Sequence, residues 1–303
     1  MQNVFFANFP TLIASAGALV PTLAIACGLA LERLRRARIE EPPQSEKFLR
    51  PPGHSLSRKL DNISDSLLEN WLFATVSCVS AVLATNFEAS SWGHGTSAWS
   101  SILNASIVLL AAAAAFFFFF RVARLVPLAR NCRLGLRGEQ VVGQALIEVA
   151  DSGYRAFHDL PAGDNWNIDH VAVGPQGVFI IETTVRNRRG CRPGHPAHEV
   201  HVHKNTLHFP TATDSRAMLE ADRNAQWLAS YLERKTGEPV PVTPLVVLPG
   251  WHVLYKAPPS TRIEVMNPKN MVDYLRDQPD TLTDPQCLRI ITALDQKCRD
   301  LEF

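Results

Sequence analysis

The run at 101–120, SILNASIVLLAAAAAFFFFF, carries no charged side chain over a length that a helix needs to cross hydrocarbon, and it limits what this end of the chain can become. Two further apolar runs precede it, at 10–31 and 71–87, the second at the short end of the spanning range. A secretory signal is the alternative for 10–31. It fits less well, because no Lys or Arg stands before the run and no clear A-x-A site follows it. Three spans are therefore expected within a membrane region 1–133, with a lipid bilayer as the first partner.

Basic residues orient these spans. Arg33, Arg35, Arg36 and Arg38 follow the first run, Arg121, Arg124, Arg130, Arg133 and Arg137 follow the third, and the N-terminus and the 88–100 loop have none. Because such residues stay on the cytoplasmic side, the N-terminus is expected outside and the C-terminal part in the cytoplasm, at the plasma (inner) membrane. The same clusters also suit anionic lipid or nucleic acid, an alternative that topology makes unnecessary. The segment 40–57, with Pro42, Pro43, Pro51 and Pro52, is expected as an irregular cytoplasmic linker.

From about Leu134 the texture is that of a soluble α/β domain, expected over 134–303. The formal net charge of +1 neither demands nor excludes a nucleic-acid partner. The six cysteines form no CxxC pair, which argues against a zinc knuckle or a disulfide framework. In RGEQVVGQALIEVA, Val141, Val142, Ala145, Leu146 and Val149 share one helical stripe, so a helix is expected to start near Gly138 with Glu139 in its first turn. A first-turn Glu is ordinarily a partner for the helix dipole.

A strand is expected at YRAFHDL, and HVAVGPQGVFIIETTV reads as two β-rich runs around Gly174-Pro175-Gln176-Gly177. With a two-residue or a four-residue loop there, Asp169 lies directly across from Glu182, Cα atoms about 4.5–5.5 Å apart. Facing carboxylates repel and raise one another's pKa unless a cation lies between them. Mg²⁺, or Mn²⁺, suits such a pair, since Mg²⁺ takes oxygen ligands and keeps several waters beside one or two carboxylates. Alternation also sets Val178, Ile180, Glu182 and Thr184 on one face and Phe179, Ile181 and Thr183 on the other.

These residues resemble the nuclease-related domain, NERD, of the PD-D/E-x-K phosphodiesterase superfamily. The similarity rests on RGE at 137–139, HDL at 158–160, NIDHVAVGPQGVFIIET from Asn167, then Phe209-Pro210, Asp214 and AQWL at 225–228. It implies a restriction-endonuclease-like mixed sheet flanked by helices, with Asp169 and Glu182 as metal ligands and Glu139 reaching in from the first helix. In that family the second residue after the Glu is normally Lys; here it is Thr184. Arg186 is expected one step further along the same face, with Arg188, Arg189 and Arg192 in the following loop as a basic patch for phosphate, and Lys204 beyond. Gln226 corresponds to a helical Gln that the family uses near the nucleic-acid backbone or the attacking water, against the plain alternative of a solvated helix position.

His201 and His203 share a face of what reads as an edge strand, but with no nearby carboxylate or Cys they are expected to be solvent-exposed rather than metal-bound. VTPLVVLPG reads as a buried strand, and RIEVMNPKNMVDYL as a strand and then a helix capped by Asn267 with Pro268 in its first turn. Three functions compete: a membrane-tethered, Mg²⁺-dependent nuclease acting on DNA or RNA; a binding or scaffold module that keeps the site without cleaving; and a purely structural membrane protein.

Overall fold

The computed structural model describes residues 48–91, 98–163, 166–187, 198–255 and 262–301. The expected span at 10–31, the first arginine cluster, and Arg188, Arg189 and Arg192 lie outside the described residues. The chain divides into two compact units, whose described parts are 60–91 with 98–130, and 48–59 with 131–301.

The first unit is built from parts of two long helices, α1 (His54–Ser91) and α2 (Ala98–Ile147). They touch where the rings of Phe73 and Phe118 stack at 5.2 Å between centroids. The run at 71–87 falls in α1 and the run at 101–120 in α2. Among the described residues one helical segment, Ser101–Ile147, is long and apolar enough to cross a membrane, and none of its most apolar window is buried. Phe116 and Leu110 are about three-quarters exposed, at 73% and 74%.

In the second unit a five-stranded mixed sheet is built from β2 (Arg155–Gly163), β3 (Trp166–Gly174), β4 (Gly177–Thr183), β8 (Val242–Val247) and β10 (Glu264–Met266). The spatial order is β10-β8-β4-β3-β2, with β2, β3 and β4 antiparallel in sequence and β4, β8 and β10 parallel. A second mixed sheet has the order β7-β6-β5-β9, from β5 (Glu199–His203), β6 (Thr206–His208), β7 (Thr213–Asp214) and β9 (His252–Tyr255).

Period-2 alternation divides the core in two. Val171, Val173, Val178 and Ile180 pack with α3 (Arg216–Thr236) and α5 (Asp284–Cys298) through Met218, Ala221, Leu228, Ile290 and Leu294. On the opposite face Ala172, Phe179 and Ile181 pack with Val142 and Leu146 of α2, with Val149 just beyond it, and with Met271 and Leu275 of α4 (Pro268–Arg276). The result is a mixed α/β domain with helices on both sides of its main sheet. Asn267 caps α4 as expected, its side chain accepting from the Asn270 N–H at 2.9 Å with Pro268 at the helix start.

Three expectations need correction. No helix begins at Gly138: α2 runs through it from Ala98, because a single Gly weakens a helix by only about 1 kcal/mol and nothing caps a new start there. Strand β5 lies between β6 and β9 rather than at an edge, although His203 is exposed as expected. The stretch 40–57 is not simply a linker. Phe48–Leu49 forms β1, antiparallel to β11 (Arg299–Leu301), and the turn after it enters α1 while bonded to the sheet.

That bonding centres on Asp159, which takes a left-handed backbone at φ 51° and is 4% exposed. Arg50 donates to its carboxylate at 3.3 Å and to its carbonyl at 3.1 Å; the Ser55 N–H and hydroxyl donate at 3.0 and 2.7 Å; Asn167 donates at 3.1 Å. Removing one partner of a buried ion pair leaves the other charge uncompensated. Arg50→Ala is therefore expected to destabilise the second unit by about 3 kcal/mol, measured by denaturant unfolding of the full chain, while an exposed change such as Arg58→Ala leaves the midpoint within about 0.5 kcal/mol.

Candidate active site

The β3–β4 hairpin closes with Gly174 opposite Gly177, so Pro175 and Gln176 are the loop. The register runs inward through Val171↔Ile180 to His170↔Ile181, where the ladder ends, and beyond it the Thr183 N–H donates to the Asp169 carboxylate. Glu182 is held toward α3 by the Asn224 amide, and Asp169 lies close enough to it for the two charges to repel. Glu139 approaches from α2, on the other helical layer, and all three carboxylates interact electrostatically. They meet at the C-terminal end of β4, the end at which parallel strands of α/β sheets present ligand sites.

The approach of Glu139 depends on its neighbour. A Cβ on Gly138 would stand 2.0 Å from a Val185 methyl carbon and 3.4 Å from that of Thr183. Only a residue without a side chain lets α2 come this close to the chain leaving β4. Substitution there moves Glu139 away from the other two carboxylates.

Each carboxylate is harder to ionise than usual. Burial, then the charges of Asp169 and Asp159, push Glu139 up to about 9, against an opposing hydrogen bond from the Gly53 N–H. Burial raises Asp169 to about 7, with Asp159 and Glu220 adding repulsion, although the Thr183 N–H donates to it at 2.8 Å. Glu182 is raised well above the ordinary range by burial, Asp169, Glu220 and Glu139, while Asn224 donates to it at 2.9 Å. Two buried oxygens beside this cluster, Thr183 Oγ1 and Asn224 Oδ1, have no hydrogen-bond partner.

A divalent cation fits this donor set, which is all oxygen, rich in negative charge and edged by unsatisfied oxygens. Among the described residues no group of three or more His, Cys, Asp or Glu side chains is placed to hold a metal ion. An ion here would rest on no more than two of the carboxylates and would need water for the rest of its shell.

The remaining expected residues divide. Thr184 continues from β4, its N–H donating to the Val247 carbonyl at 3.0 Å, and it is partly exposed. Arg186 does not serve as a free cation. Its guanidinium is ion-paired with Asp214 and lies 4.9 Å from the Phe209 ring centroid, which in turn meets Trp251 edge-on. Although burial works against it, Asp214 is held below the usual carboxylate range by Arg186 and by N–H groups at the start of α3.

Gln226 is not at the cluster. It donates to Asp222 at 2.8 Å on the exposed side of α3, and Asn224 reaches Glu182 instead. Two helical positions are about 200° apart around the axis, so both cannot face the same carboxylate. Sequence reading missed Asn224, although the signal was there: it is a polar residue on the buried stripe of Ala217, Ala221 and Leu228. Asp159 and Glu220 were also missed. Behind Asp169, His158 and His170 share a hydrogen bond between Nδ1 atoms at 2.8 Å, burial keeping both neutral and pushing His158 down to about 4.

The raised carboxylates make a signed prediction. The folded protein holds protons that the unfolded chain releases near pH 4, so this stabilisation is complete below about pH 4 and is lost as pH rises through about 7 for Asp169 and about 9 for Glu139. In chelator the thermal midpoint is expected to fall across that window, and Asp169→Asn to flatten the fall by at least about 1 kcal/mol at neutral pH. Adding Mg²⁺ should raise the midpoint more at alkaline than at acid pH, because ion and protons compete. Gly138→Val should cost about 1–3 kcal/mol and weaken that Mg²⁺ effect, read by the same melts.

A family model for the nuclease-related domain matches residues 134–249, a span that includes Glu139, Asp169, Glu182, Thr184 and Asn224. No curated protein and no solved structure matches the chain. The match agrees with the mixed α/β fold, and residues 134–249 are thereby similar to a nuclease-related domain.

Proposed function

We propose that the second unit is a metal-dependent phosphodiesterase domain acting on nucleic acid, DNA or RNA, held at a membrane by the apolar helices of the first. One observation carries this reading: Glu139, Asp169 and Glu182 converge with all three pKa values raised, which leaves a buried site short of positive charge. Asp169 and Glu182 would hold Mg²⁺ or Mn²⁺, which when bound would supply Lewis-acid stabilisation of charge at the phosphate. The chain's own groups do the rest. Glu139, protonated at neutral pH in the metal-free chain, would accept a proton only once a bound cation lowers its pKa; Asn224 and the Thr183 N–H orient the two carboxylates, and Thr184 offers a hydroxyl where the family has an ammonium.

A second reading has its own observation. Thr184 carries no charge, and Arg186 is committed to Asp214, so among the described residues neither provides a mobile cation for the attacking water or the phosphate. Positioned positive charge is a large part of phosphoryl-transfer catalysis. A domain that binds the metal and nucleic acid but does not cut is favoured by that absence.

The test uses the full chain in detergent, with labelled DNA and RNA and Mg²⁺ or Mn²⁺. For the enzyme, wild-type cleavage is expected and Asp169→Ala should lower its rate by at least about a hundredfold, as for loss of a main electrostatic group. For the disarmed site, cleavage is absent in the wild type and emerges in Thr184→Lys. Cleavage that persists unchanged in Asp169→Ala removes the site assigned above.

A further inference from the structure

Beside the carboxylates, one surface of the domain interleaves aromatic rings with cations. Helix α3 places Arg223, Trp227 and Tyr231 at four-residue spacing, which makes one stripe along its side. The Trp227 and Tyr231 rings are nearly parallel, 7° between planes and 5.4 Å between centroids. Trp166, at the start of β3, meets Trp227 edge-on at 5.6 Å. All three rings are partly exposed.

Cations lie on these rings. The Arg223 guanidinium is 4.6 Å from the Trp166 centroid, Lys297 of α5 is 5.5 and 5.2 Å from Trp227 and Tyr231, and Lys235 is 6.0 Å from Tyr231. Among the described residues, neither Arg223, Lys235 nor Lys297 is ion-paired with a carboxylate, whereas neighbouring Arg216, Arg289 and Arg299 each are. A patch that served only to cover the core would explain the rings, which do pack against it. It would not explain three cations held over them with their charge uncompensated.

The stripe is also fixed in place and in direction. A Cβ on Gly163 would stand 2.4 Å from Trp166 Nε1, so the indole rests directly on that backbone. Trp166 adjoins Asn167, a ligand of Asp159, and Arg223 adjoins Asn224, the partner of Glu182. From Arg223 to Lys235 the helix advances about 18 Å, room for several nucleotides.

We infer that this stripe is a platform for a single strand of nucleic acid, with unpaired bases stacking on Trp166, Trp227 and Tyr231 and phosphates drawn to Arg223, Lys235 and Lys297. The inference rests on the nucleic-acid reading of the carboxylate site and narrows its substrate to unpaired strands. Rings of this kind accept any base because every base has a flat π face, and the bases of a duplex are already stacked on one another. Free cations along the strand add affinity that falls with salt.

The test is equilibrium binding of labelled oligo-dT, oligo-U and a duplex of equal length to the full chain in detergent. Chelator is present throughout, so that nothing is cut. Single strands are expected to bind more tightly than duplex and to quench tryptophan emission, and the dT and U arms report which sugar is preferred. Trp227→Leu should weaken single-strand binding about tenfold, with Trp227→Phe retaining most of it. Arg223→Ala, at an exposed position, should lower the slope of log affinity against log salt by about 0.7 and serves should Trp227→Leu fail to fold. Duplex binding as tight as single-strand binding, or affinity and salt slope unchanged in Arg223→Ala, overturns the platform. That failure is distinct from failure of the nuclease reading: loss of the platform with Asp169-dependent cleavage intact moves the substrate elsewhere, and platform binding without cleavage leaves a binding module.

Discussion

Repulsion between Asp169 and Glu182 is the constraint around which this domain is arranged. The hairpin register brings them to the same end of the ribbon because Val171, Val173, Val178 and Ile180 must share the face that packs on α3. A one-residue slip would relieve the carboxylates and expose that core. The apolar face wins, and the charge is then managed locally by the Thr183 N–H on Asp169, Asn224 on Glu182 and the Gly53 N–H on Glu139. Each is a single hydrogen bond set against burial and several like charges, so all three groups stay hard to ionise.

The cations of the region show the same division between architecture and chemistry. Arg50 neutralises Asp159 and thereby ties the segment before α1 to the middle of β2. Arg186, at the place where a free charge would be useful beside Thr184, is held by Asp214 against Phe209. Both side chains hold distant parts of the chain together. An arginine fixed in this way stabilises the fold and stays protonated, so it cannot take a proton from water.

What could be read from sequence followed the range of the interaction. The hairpin and its two faces were legible because period-2 alternation and one tight turn determine them within about twenty residues, whereas the pairing ends at His170↔Ile181, one step before the carboxylates. The cap at Asn267 was legible for the same reason. The start of α2 was misread because Gly138 resembles a helix boundary locally, whereas its reason is Val185, whose methyl carbon would stand 2.0 Å from any Cβ placed there. The role of 48–55 was hidden because Arg50 and Asp159 are 109 residues apart, and a Pro-rich segment gives no local sign of what it will pair with. Gln226 was chosen by motif, but helical phase selects Asn224, and phase could be fixed only once the buried stripe of α3 was known.

The carboxylates and the aromatic stripe are joined by single-residue steps in two elements. On β3, alternation sends Trp166 and Asn167 to opposite sides, one to Trp227 and the other to Asp159. On α3, a turn of about 100° separates Arg223, over Trp166, from Asn224, at Glu182. Neither step passes through a flexible loop, so the spacing between rings and carboxylates is set by the backbone of a strand and a helix that share one core. A strand lying on the rings would thus meet the acidic groups at a fixed offset, and shifting Trp166 from Gly163 would disturb that offset without altering any carboxylate.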